Sequence, residues 1–540
     1  MKRYHLFYFL MGAMMLTSCS EFLKEDPKEA LPASDTFAND DDLYLNGVAA
    51  IYLNVGGYND SEGLQGTRQG VWDLNTFTTD EAIVPTRGTD WYDGGFWQEL
   101  YTHRWGTKNN AAKETWNYLY RSILRCNKSL ERMKNYAAET GSDVSDYQAE
   151  VRALRAMFYF YALDLYGRVP VFTTSEPAGG ELVPWPRSDV FNFVRDELLE
   201  VTPHLSLERS NHLGAFYGRM TQGVCYFLLA KLALNAEVYC LDEWMTSPRP
   251  DGKKIYWTLE GQKKNTWEAT VYFCDQLELA GYRLEELFET NFLVKNEVSM
   301  ENIFTIPMDK NLYTNQFTNL FRSRHYNHAA AIGLNGENGP CATLEALKVF
   351  HCDEADEDPR FDLSYYAGQV YDLKGNMVRL DDGTPLVYAQ WQVKLDLGSS
   401  PYEKTAGARM KKYAIDPVAT KDGNQSDNDI VLFRYADALL MKAEALLRNQ
   451  GVNETSTALV NDVRWRVGAD PLSNVTLNEL LDERLRELAW EGWRRNDMIR
   501  FGTFTNAYFE HNADPDNHTI VFPIPSTFLQ LTGAPQNPGY

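Results

Sequence analysis

The sequence predicts a mainly α-helical protein, in which tetratricopeptide-like helical hairpins carry a loop-rich ligand-binding region and small β-hairpins. Three observations lead to this prediction. Long segments place apolar residues at a helical period, alanines recur where paired helices would meet, and long stretches rich in Gly, Pro, Asn and Asp separate the helical segments. A chain of 540 residues can bury one large core or two or three smaller ones.

The clearest helical segment is QAEVRALRAMFYFYALDLYG, in which Val151, Leu154 and Phe158 keep helical spacing. Gly167 and Pro170 then supply a stop. The upstream segment NYLYRSILRCNKSLERM has the same period. The two segments are therefore predicted to form an antiparallel helical hairpin joined through the polar stretch AAETGSDVSD.

The same helical period recurs along the rest of the chain. It is found in SDVFNFVRDELLEVTPHL, MTQGVCYFLLAKLALNAEVYCL, WEATVYFCDQLELAGY, ADALLMKAEALLRNQG and STALVNDVRWRVGA. Small alanine side chains on these segments allow two helix backbones to approach closely. Unevenly spaced pairs of this kind indicate a tetratricopeptide-like scaffold without the strict repeat consensus.

One further segment, TLNELLDERLRELAWEGWRRNDMIRFG, is predicted to be a single charged helix that begins at a capping box of Thr476 and Glu479. Opposite charges three or four residues apart stabilise a helix by pairing along its surface. We therefore interpret its charges as structural pairs within one helix, and not as catalytic carboxylates. They are Glu483, Arg484, Glu487, Glu491, Arg494, Asp497 and Arg500.

Three stretches are predicted to be long loops with small hairpins: Ala178–Arg187, Asn291–Gly339 and Asp353–Gln425. They are rich in turn-forming residues, and the short run GQVYDLKGNMVRL alternates as a hairpin strand does. Long loops on a helical scaffold commonly carry function.

The N-terminus predicts a lipoprotein signal peptide over residues 1–18. Lys2 and Arg3 precede an apolar run from Leu6 to Leu16, which has the length of a signal-peptide core and is too short to span a bilayer. The run ends in Leu-Thr-Ser-Cys19, and small residues before a cysteine are typical of a lipobox. We expect Cys19 to carry lipid, which anchors the chain without spanning the membrane. An ordinary secretory peptide is the alternative.

Charge and cysteine content exclude several functional classes. A formal net charge of −23 repels phosphate backbones and suits neutral or cationic ligands, so no nucleic-acid binding is predicted. The six cysteines after Cys19 show no C-x-x-C pair and no zinc-ligand spacing, and we expect them to be mostly free. The sequence indicates no cofactor.

The segment GVWDLNTFTTDEAIVPTRGTDWYDGGFWQELYTHRW is the densest aromatic region of the chain, and it predicts a shaped loop that could bind a ligand. Sugar rings stack on Trp and Tyr side chains, while polar groups satisfy the hydroxyls. Glycines interrupt any regular period here, so the two indoles of Trp91 and Trp97 could face the same side. The candidate ligand-binding residues are Trp72, Asp80, Glu81, Arg87, Trp91, Tyr92, Asp93 and Trp97. Packing in the scaffold is the alternative for each tryptophan.

A second aromatic patch, NQFTNLFRSRHYNHAAAIGLNGENGP, adds the candidate ligand-binding residues Arg324, Tyr326 and Asn327. Packing against the scaffold is again the alternative. His325 and His328 lie three residues apart, but His103 is distant in sequence and no carboxylate is placed to complete a metal site, so none is predicted.

The acidic run HCDEADEDPRFD lacks the glycine spacing of a calcium-binding loop. It is interpreted as a solvated face, with a structural calcium ion left open.

Several motifs together resemble the SusD/RagB family of outer-membrane nutrient-binding lipoproteins. AEVRALRAMFYFYALDLYGRVP resembles the family's helix ending in Leu-Tyr-Gly-x-Val-Pro, and LFRYADALLMKAEALL its Arg-Tyr-Ala-Asp helix. DERLRELAWEGWRRNDMIRFG, FPIPSTFL and the terminal QNPGY follow in the family's order. Trp493 stands where the family often has His, and Arg495 where an aromatic residue is usual.

This resemblance implies a single SusD-like domain over residues 19–540, with an N-terminal half of about 19–230 and a C-terminal half of about 290–540. It implies a non-catalytic surface lipoprotein, anchored by Cys19 in the outer membrane and facing the extracellular side. Such proteins capture glycan for polysaccharide utilisation and deliver it to a SusC-like TonB-dependent transporter.

Two alternatives stay open at this point. A branch of the family captures peptides, which the sequence does not distinguish from glycan capture. A lipid-anchored glycoside hydrolase would need two carboxylates across a sugar cleft, and Asp80 or Glu81 with Asp93 would be the candidates.

Overall fold

The computed structural model describes residues 39–313, 315–420 and 423–540. The predicted signal peptide and the anchor Cys19 lie outside the described residues. Within the part that is described, no helix is long and apolar enough to cross a membrane.

The prediction of a mainly helical protein is confirmed. Nineteen α-helices are present among the described residues, with a π-helical turn at Tyr44–Ala49 that joins the first two. They are α1 Asp40–Leu43, α2 Ala50–Gly56, α3 Val71–Thr76, α4 Phe96–Tyr101, α5 Asn110–Thr140, α6 Ser145–Tyr166, α7 Arg187–Val201, α8 Gln222–Leu234, α9 Ala236–Tyr239, α10 Thr266–Leu279, α11 Asn319–Arg322, α12 Tyr326–Ala331, α13 Leu344–Val349, α14 Arg360–Ser364, α15 Tyr435–Gln450, α16 Glu454–Trp465, α17 Leu477–Leu488, α18 Arg494–Phe501 and α19 Ser526–Thr532.

Short antiparallel strand pairs accompany the helices. The described strands are β1 Ala82–Ile83, β2 Val169–Pro170, β3 Pro184–Trp185, β4 Tyr256–Leu259, β5 Gln262–Asn265, β6 Asn302–Ile306, β7 Cys341–Ala342, β8 Tyr365–Tyr366, β9 Gly368–Gln369, β10 Val387–Tyr388, β11 Arg409–Met410 and β12 Ile430–Arg434. The pairs are β1 with β7, β2 with β3, β4 with β5, β6 with β12, β8 with β11 and β9 with β10. Several of these small sheets lie in the predicted loop regions, as expected.

The predicted first hairpin is confirmed, because α5 and α6 pack against each other. The link between them is shorter than predicted: α5 continues to Thr140, and Gly141 ends it in the left-handed conformation at φ 76°. The stack then continues through α7 on α6, α8 on α10, α10 on α15, and α15 on both α16 and α17. One large apolar core runs through these helices.

Two sequence predictions are wrong in this region. The segment from Thr476 to Gly502 is not one helix: its capping box is present, but α17 ends at Leu488 and α18 begins at Arg494. Trp490 and Gly492 adopt positive φ between the two helices, at 67° and 72°, which an α-helix cannot accommodate. Strand β6 was predicted as loop, yet it is buried throughout and pairs with β12.

The charges of this segment also pair differently from the prediction. Only Glu483 with Arg486 and Asp497 with Arg500 form pairs three residues apart within a helix. Most ion pairs of this segment instead join separate elements, and their side chains are buried. These buried pairs between elements include Arg484 with Asp437, Arg500 with Glu444, Arg494 with Asp80, and Arg434 with Glu301, Glu487 and Glu491. These pairs are structural, as interpreted from the sequence, and they hold the C-terminal helices to other elements of the fold.

Candidate functional site

Two aromatic candidates of the early segment, Trp72 and Trp97, lie in the core. Trp72 is in α3 and 3% exposed, and its Nε1 donates to the carbonyl of Trp490 at 3.1 Å. Trp97 is in α4 and 2% exposed, and its Nε1 donates to Asp93 Oδ2 at 2.7 Å. The prediction that Trp91 and Trp97 lie together in one glycine-broken loop is wrong for Trp97, because Trp97 lies in a short helix and its indole is buried. Ligand contact at Trp72 and Trp97 stays untested, and their burial favours a structural role.

Asp80 and Glu81 are likewise held by the scaffold. Asp80 accepts two hydrogen bonds from the guanidinium of Arg494, at 2.6 and 2.7 Å. Glu81 is 1% exposed and accepts a hydrogen bond from the backbone N–H of Trp490 at 2.5 Å. Burial raises the pKa of Glu81 to about 7, against the opposing effect of that hydrogen bond. Asp93 is exposed and bonded to Trp97, so neither candidate pair of a hydrolase is arranged across an open cleft here.

Arg87 connects the early segment to the loops that contain Gly339 and Glu403. It is 3% exposed and donates to the carbonyls of Glu403 and Ala406, each at 2.9 Å, and to that of Gly339 at 3.2 Å. Burial, followed by the nearby Arg409, lowers the pKa of Arg87 to about 9. Its buried guanidinium therefore links these loops by hydrogen bonds and does not face solvent.

The early and middle aromatic patches lie side by side. Trp91 is partly buried and donates from Nε1 to the carbonyl of Glu337 at 2.8 Å. The hydroxyl of Tyr326 in the middle patch donates to Oδ2 of Asp90, the residue before Trp91, at 3.1 Å. Burial and then Asp90 raise the pKa of Tyr326 to about 12. These two hydrogen bonds show that the early and middle patches are adjacent in the fold.

The middle patch presents only part of its predicted set to solvent. Arg324 is 2% exposed, whereas Tyr326 is 44% exposed. Asn327 is partly exposed and donates from Nδ2 to the carbonyl of Arg379 at 3.1 Å and to Asp381 Oδ1 at 2.8 Å. Of the predicted ligand-binding residues of this patch, Tyr326 and Asn327 are therefore accessible, and the exposed Asp381 of another loop lies beside Asn327.

An open groove of about 560 Å³ begins at Tyr92, which is 57% exposed. We call it the Tyr92 groove. Three segments far apart in sequence line it: Thr86, Tyr92 and Gln98; Leu395 and Asp396; and Tyr508, Glu510, His511 and Asn512. Its chemistry is one exposed aromatic ring among amide, hydroxyl and carboxylate groups.

Backbone and side-chain contacts hold the three walls of the groove together. The N–H of Thr86 donates to the carbonyl of Leu395 at 3.0 Å, and the N–H of Leu397 donates back to Thr86 at 2.9 Å. The carboxylate of Glu510 accepts from the N–H of Leu395, and the hydroxyl of Tyr508 donates to the carbonyl of Tyr101 at 3.2 Å. The groove therefore has a fixed frame, from which the ring of Tyr92 projects.

Such a groove is suited to a neutral, hydroxyl-rich ligand. The Tyr92 ring offers a stacking face, and Gln98, Asp396, Glu510 and Asn512 offer hydrogen-bond partners for hydroxyls. Two carboxylates and no lysine or arginine line it, which disfavours an anionic ligand.

Sequence reasoning identified Tyr92 but missed the rest of this lining. Gln98 belongs to the predicted segment without having been singled out, and the residues around 395 and 510 carry no local motif. Only the fold brings these segments together.

Comparisons with known proteins agree on one family. The model of the SusD family matches residues 300–540, and a second model, described as starch-binding and associating with the outer membrane, matches residues 65–207. The starch-binding protein SusD of Bacteroides thetaiotaomicron is 24% identical over 516 residues, covering 89% of this chain and 87% of that protein.

Solved structures of similar proteins share the fold. A laminarin-binding SusD-like protein superposes with a TM-score of 0.67 at 21% identity, over 93% of this chain and all of the other. The surface glycan-binding protein A from Bacteroides thetaiotaomicron, solved in complex with laminarihexaose, superposes with a TM-score of 0.69 at 18% identity. That match covers 92% of this chain and 99% of the other.

Proposed function

Because this chain belongs to the SusD family, we propose that it is a non-catalytic glycan-binding lipoprotein of the outer membrane. Cys19 is its lipid anchor, and residues 19–540 form one domain that faces the extracellular side. It captures oligosaccharide or polysaccharide and passes it to a SusC-like TonB-dependent transporter.

The observation that carries the glycan proposal is the Tyr92 groove. It combines an exposed aromatic ring with uncharged and acidic hydrogen-bonding groups, where the early segment meets the loops around Asp396 and Glu510. The names of the relatives, which refer to starch, laminarin and surface glycans, support the same class of ligand. The burial of Glu81 and the pairing of Asp80 with Arg494 support a role without hydrolysis.

Replacement of Tyr92 by Ala is expected to weaken glycan binding by about thirtyfold. This corresponds to the loss of about 2 kcal/mol that truncation of an aromatic binding anchor commonly causes. Affinity gel electrophoresis against a panel of neutral polysaccharides measures it, with a reducing-sugar assay on the same mixtures. We expect retardation of the wild-type protein and no release of reducing sugar.

Tyr58→Ala is the matched control, because Tyr58 is exposed to nearly the same extent, at 55%, and does not line the groove. It should bind glycan as the wild type does. Equal glycan binding by Tyr92→Ala and the wild type would show that the Tyr92 groove is not the glycan-binding site. Reducing sugar released at enzymatic rates would refute the non-catalytic role, and retention of peptides instead of any glycan would favour the peptide-capturing branch.

A second prediction concerns the anchor and the transporter. Extraction of membranes in mild detergent should recover the wild-type protein together with a TonB-dependent barrel. Cys19→Ala removes the thiol that would be lipidated, so this variant should leave the outer-membrane fraction and lose the barrel from the same pull-down. Fractionation and immunoblotting measure both.

Cys240→Ala serves as the control, since Cys240 is a free and partly buried thiol within the fold. That variant should fractionate with the membrane. The anchor proposal fails if Cys19→Ala partitions with the outer membrane as the wild type does. The partner proposal fails if the wild-type protein is recovered from its native membrane without any barrel.

A further inference from the structure

We propose that His103, His511 and Asp514 form a binding site for a divalent transition-metal ion of the Zn²⁺ type. The ion would link the loop after α4 to the loop between α18 and α19. One ligand atom from each residue lies within 4.8 Å of the other two. His103 Nδ1 is 2.7 Å from Asp514 Oδ2, and His511 Nε2 is 3.6 Å from Asp514 Oδ1.

The donor set and its spacing suit this class of ion. Imidazole nitrogen and carboxylate oxygen bind Zn²⁺ at about 2.0–2.2 Å, so neighbouring ligands of a tetrahedral ion lie about 3.4 Å apart. The His103–Asp514 distance of 2.7 Å is shorter than this value, and the His511–Asp514 distance of 3.6 Å is slightly longer. Small side-chain movements therefore suffice to complete the three-ligand arrangement, and no change of backbone is needed.

His511 provides an independent observation. It is 3% exposed, and neither of its ring nitrogens makes a hydrogen bond of ordinary geometry among the described residues, although the carbonyl of Tyr101 and the carboxylate of Asp514 lie near them. Buried polar atoms are almost always paired. A coordinated ion would supply the missing partner for one of these nitrogens.

Aromatic packing holds the two imidazole rings in place. The ring of Tyr508 stacks on that of His511 at 4.2 Å between centroids, and the His103 ring lies 4.3 Å from the His511 ring. Phe504 stacks on His103 at 4.4 Å from the other side. Ligands already oriented in this way lose little conformational freedom when they bind an ion.

The contacts around the cluster are those that metal ligands commonly have. His103 donates from Nε2 to the carbonyl of Thr78 at 2.8 Å, which directs Nδ1 toward Asp514. Thr519 Oγ1 donates to Asp514 Oδ2 at 2.5 Å. Metal-binding histidines usually donate their second N–H to a carbonyl or carboxylate in this manner. On metal binding, the proton between His103 Nδ1 and Asp514 would leave to solvent, and the ion would take its place.

The proposed site differs from the sequence analysis, which predicted no metal site around His103. His325 and His328, which were considered there with His103, are not in the cluster, whereas His511 and Asp514 come from a segment that carried no motif. Because His511 also lines the Tyr92 groove, the ion would stiffen one wall of that groove. This consequence for ligand binding rests on the proposed glycan function, while the metal site itself does not.

The full-length protein, purified in detergent and treated with a chelator that is then removed, tests the proposal by titration with Zn²⁺ alone. We expect calorimetry to show one ion per chain at this site. An excess of about a hundredfold over Kd should raise Tm by about 2–3 °C, given the stabilisation expected from ligand binding and the entropy of unfolding of a chain this long. Titration with Co²⁺ should give the intense visible absorption of a four-coordinate ion with nitrogen ligands.

His511→Gln and Asp514→Asn keep the side-chain volumes but remove one ligand each. Both should weaken Zn²⁺ binding by about a hundredfold or more, since even outer contacts of metal ligands contribute ten- to a hundredfold. His204→Gln is the control, because His204 is exposed and lies outside the cluster.

Absence of saturable Zn²⁺ binding and of the Co²⁺ spectrum in the wild-type protein would overturn the proposal. Unchanged affinity in both ligand variants would do the same, because the ion would then lie elsewhere, for example at the more exposed cluster of His351, Glu354 and Asp356. Glycan retardation by the metal-free protein is measured in parallel, so failure of the metal site and failure of the glycan proposal give different results.

Discussion

Arg434→Met is expected to lower the free energy of unfolding by about 3–5 kcal/mol. Arg434 is 1% exposed and lies among three carboxylates. Its guanidinium is 2.8 Å from Glu301, 2.5 Å from Glu487 and 2.7 Å from Glu491. Removal of the cation leaves these buried carboxylates with too little positive charge, and an unpaired buried charge costs far more than the pair contributed.

The arrangement around Glu487 shows how far these carboxylates depend on their cations. Burial alone would raise the pKa of Glu487, yet Arg466, Arg434 and Arg360 hold it well below its usual range. The group is therefore ionised in the folded protein and needs its partners. Urea unfolding followed by circular dichroism measures the effect as a shift of the midpoint.

Arg121→Met is the matched control for Arg434→Met. The side chain of Arg121 is 55% exposed and pairs with Glu62 at 3.1 Å. Exposed pairs of this kind contribute about 0–1 kcal/mol, so the midpoint should hardly move. A midpoint for Arg434→Met as close to wild type as that of Arg121→Met would show that the buried network does not carry the stability assigned to it.

Trp97→Ala is expected to cost about 3–5 kcal/mol of stability, as truncation of a buried tryptophan commonly does. The indole is 2% exposed and donates a hydrogen bond to Asp93. It packs against the rings of Phe77 and Trp91, each at a centroid distance of 5.6 Å. The sequence suggested that this ring would stack on a sugar. Its burial leads us to expect that the folded fraction of the variant still binds glycan, while its Tm falls by several degrees.

Differential scanning fluorimetry and affinity electrophoresis on one preparation separate the two roles of Trp97. Trp465→Ala is the control, since Trp465 is 83% exposed and its removal leaves no cavity in the core. An unchanged Tm of Trp97→Ala together with loss of glycan binding would show that Trp97 contacts the ligand and does not stabilise the core. Trp91 is only partly buried, so the prediction that it binds glycan stays open.

Features that depend on local sequence could be predicted well. The period of apolar residues predicted the helices of α5 and α6, because a helix repeats its buried face every three to four residues whatever surrounds it. The capping box at Thr476 and Glu479 forms as predicted, because both partners lie within one turn. The motifs from Leu-Tyr-Gly to the final Gly-Tyr were sufficient for the family, which the comparisons bear out.

Features that depend on contacts between distant segments were decided by the tertiary structure. The charges after Thr476 looked like pairs along one helix, but positive φ at Trp490 and Gly492 breaks that helix and sends its charges to partners on other elements. Trp97 looked like a loop residue, but a single turn of helix directs it into the core. Backbone conformations of this kind are stabilised by remote partners, here Glu81 at the N–H of Trp490.

The candidate site shows the same division. The density of aromatic residues predicted where a ligand would bind, the family resemblance implied a glycan, and Tyr92 of the predicted segment is exposed at a groove. The other walls, around Asp396 and Glu510, and the cluster of His103 with His511 and Asp514 needed the folded chain. The sequence by itself determined which side chains were available and that strongly periodic segments such as α5 and α6 would be helices. The packing of those helices decided which side chains meet and which face solvent, because burial and proximity arise from the whole chain and not from any one segment.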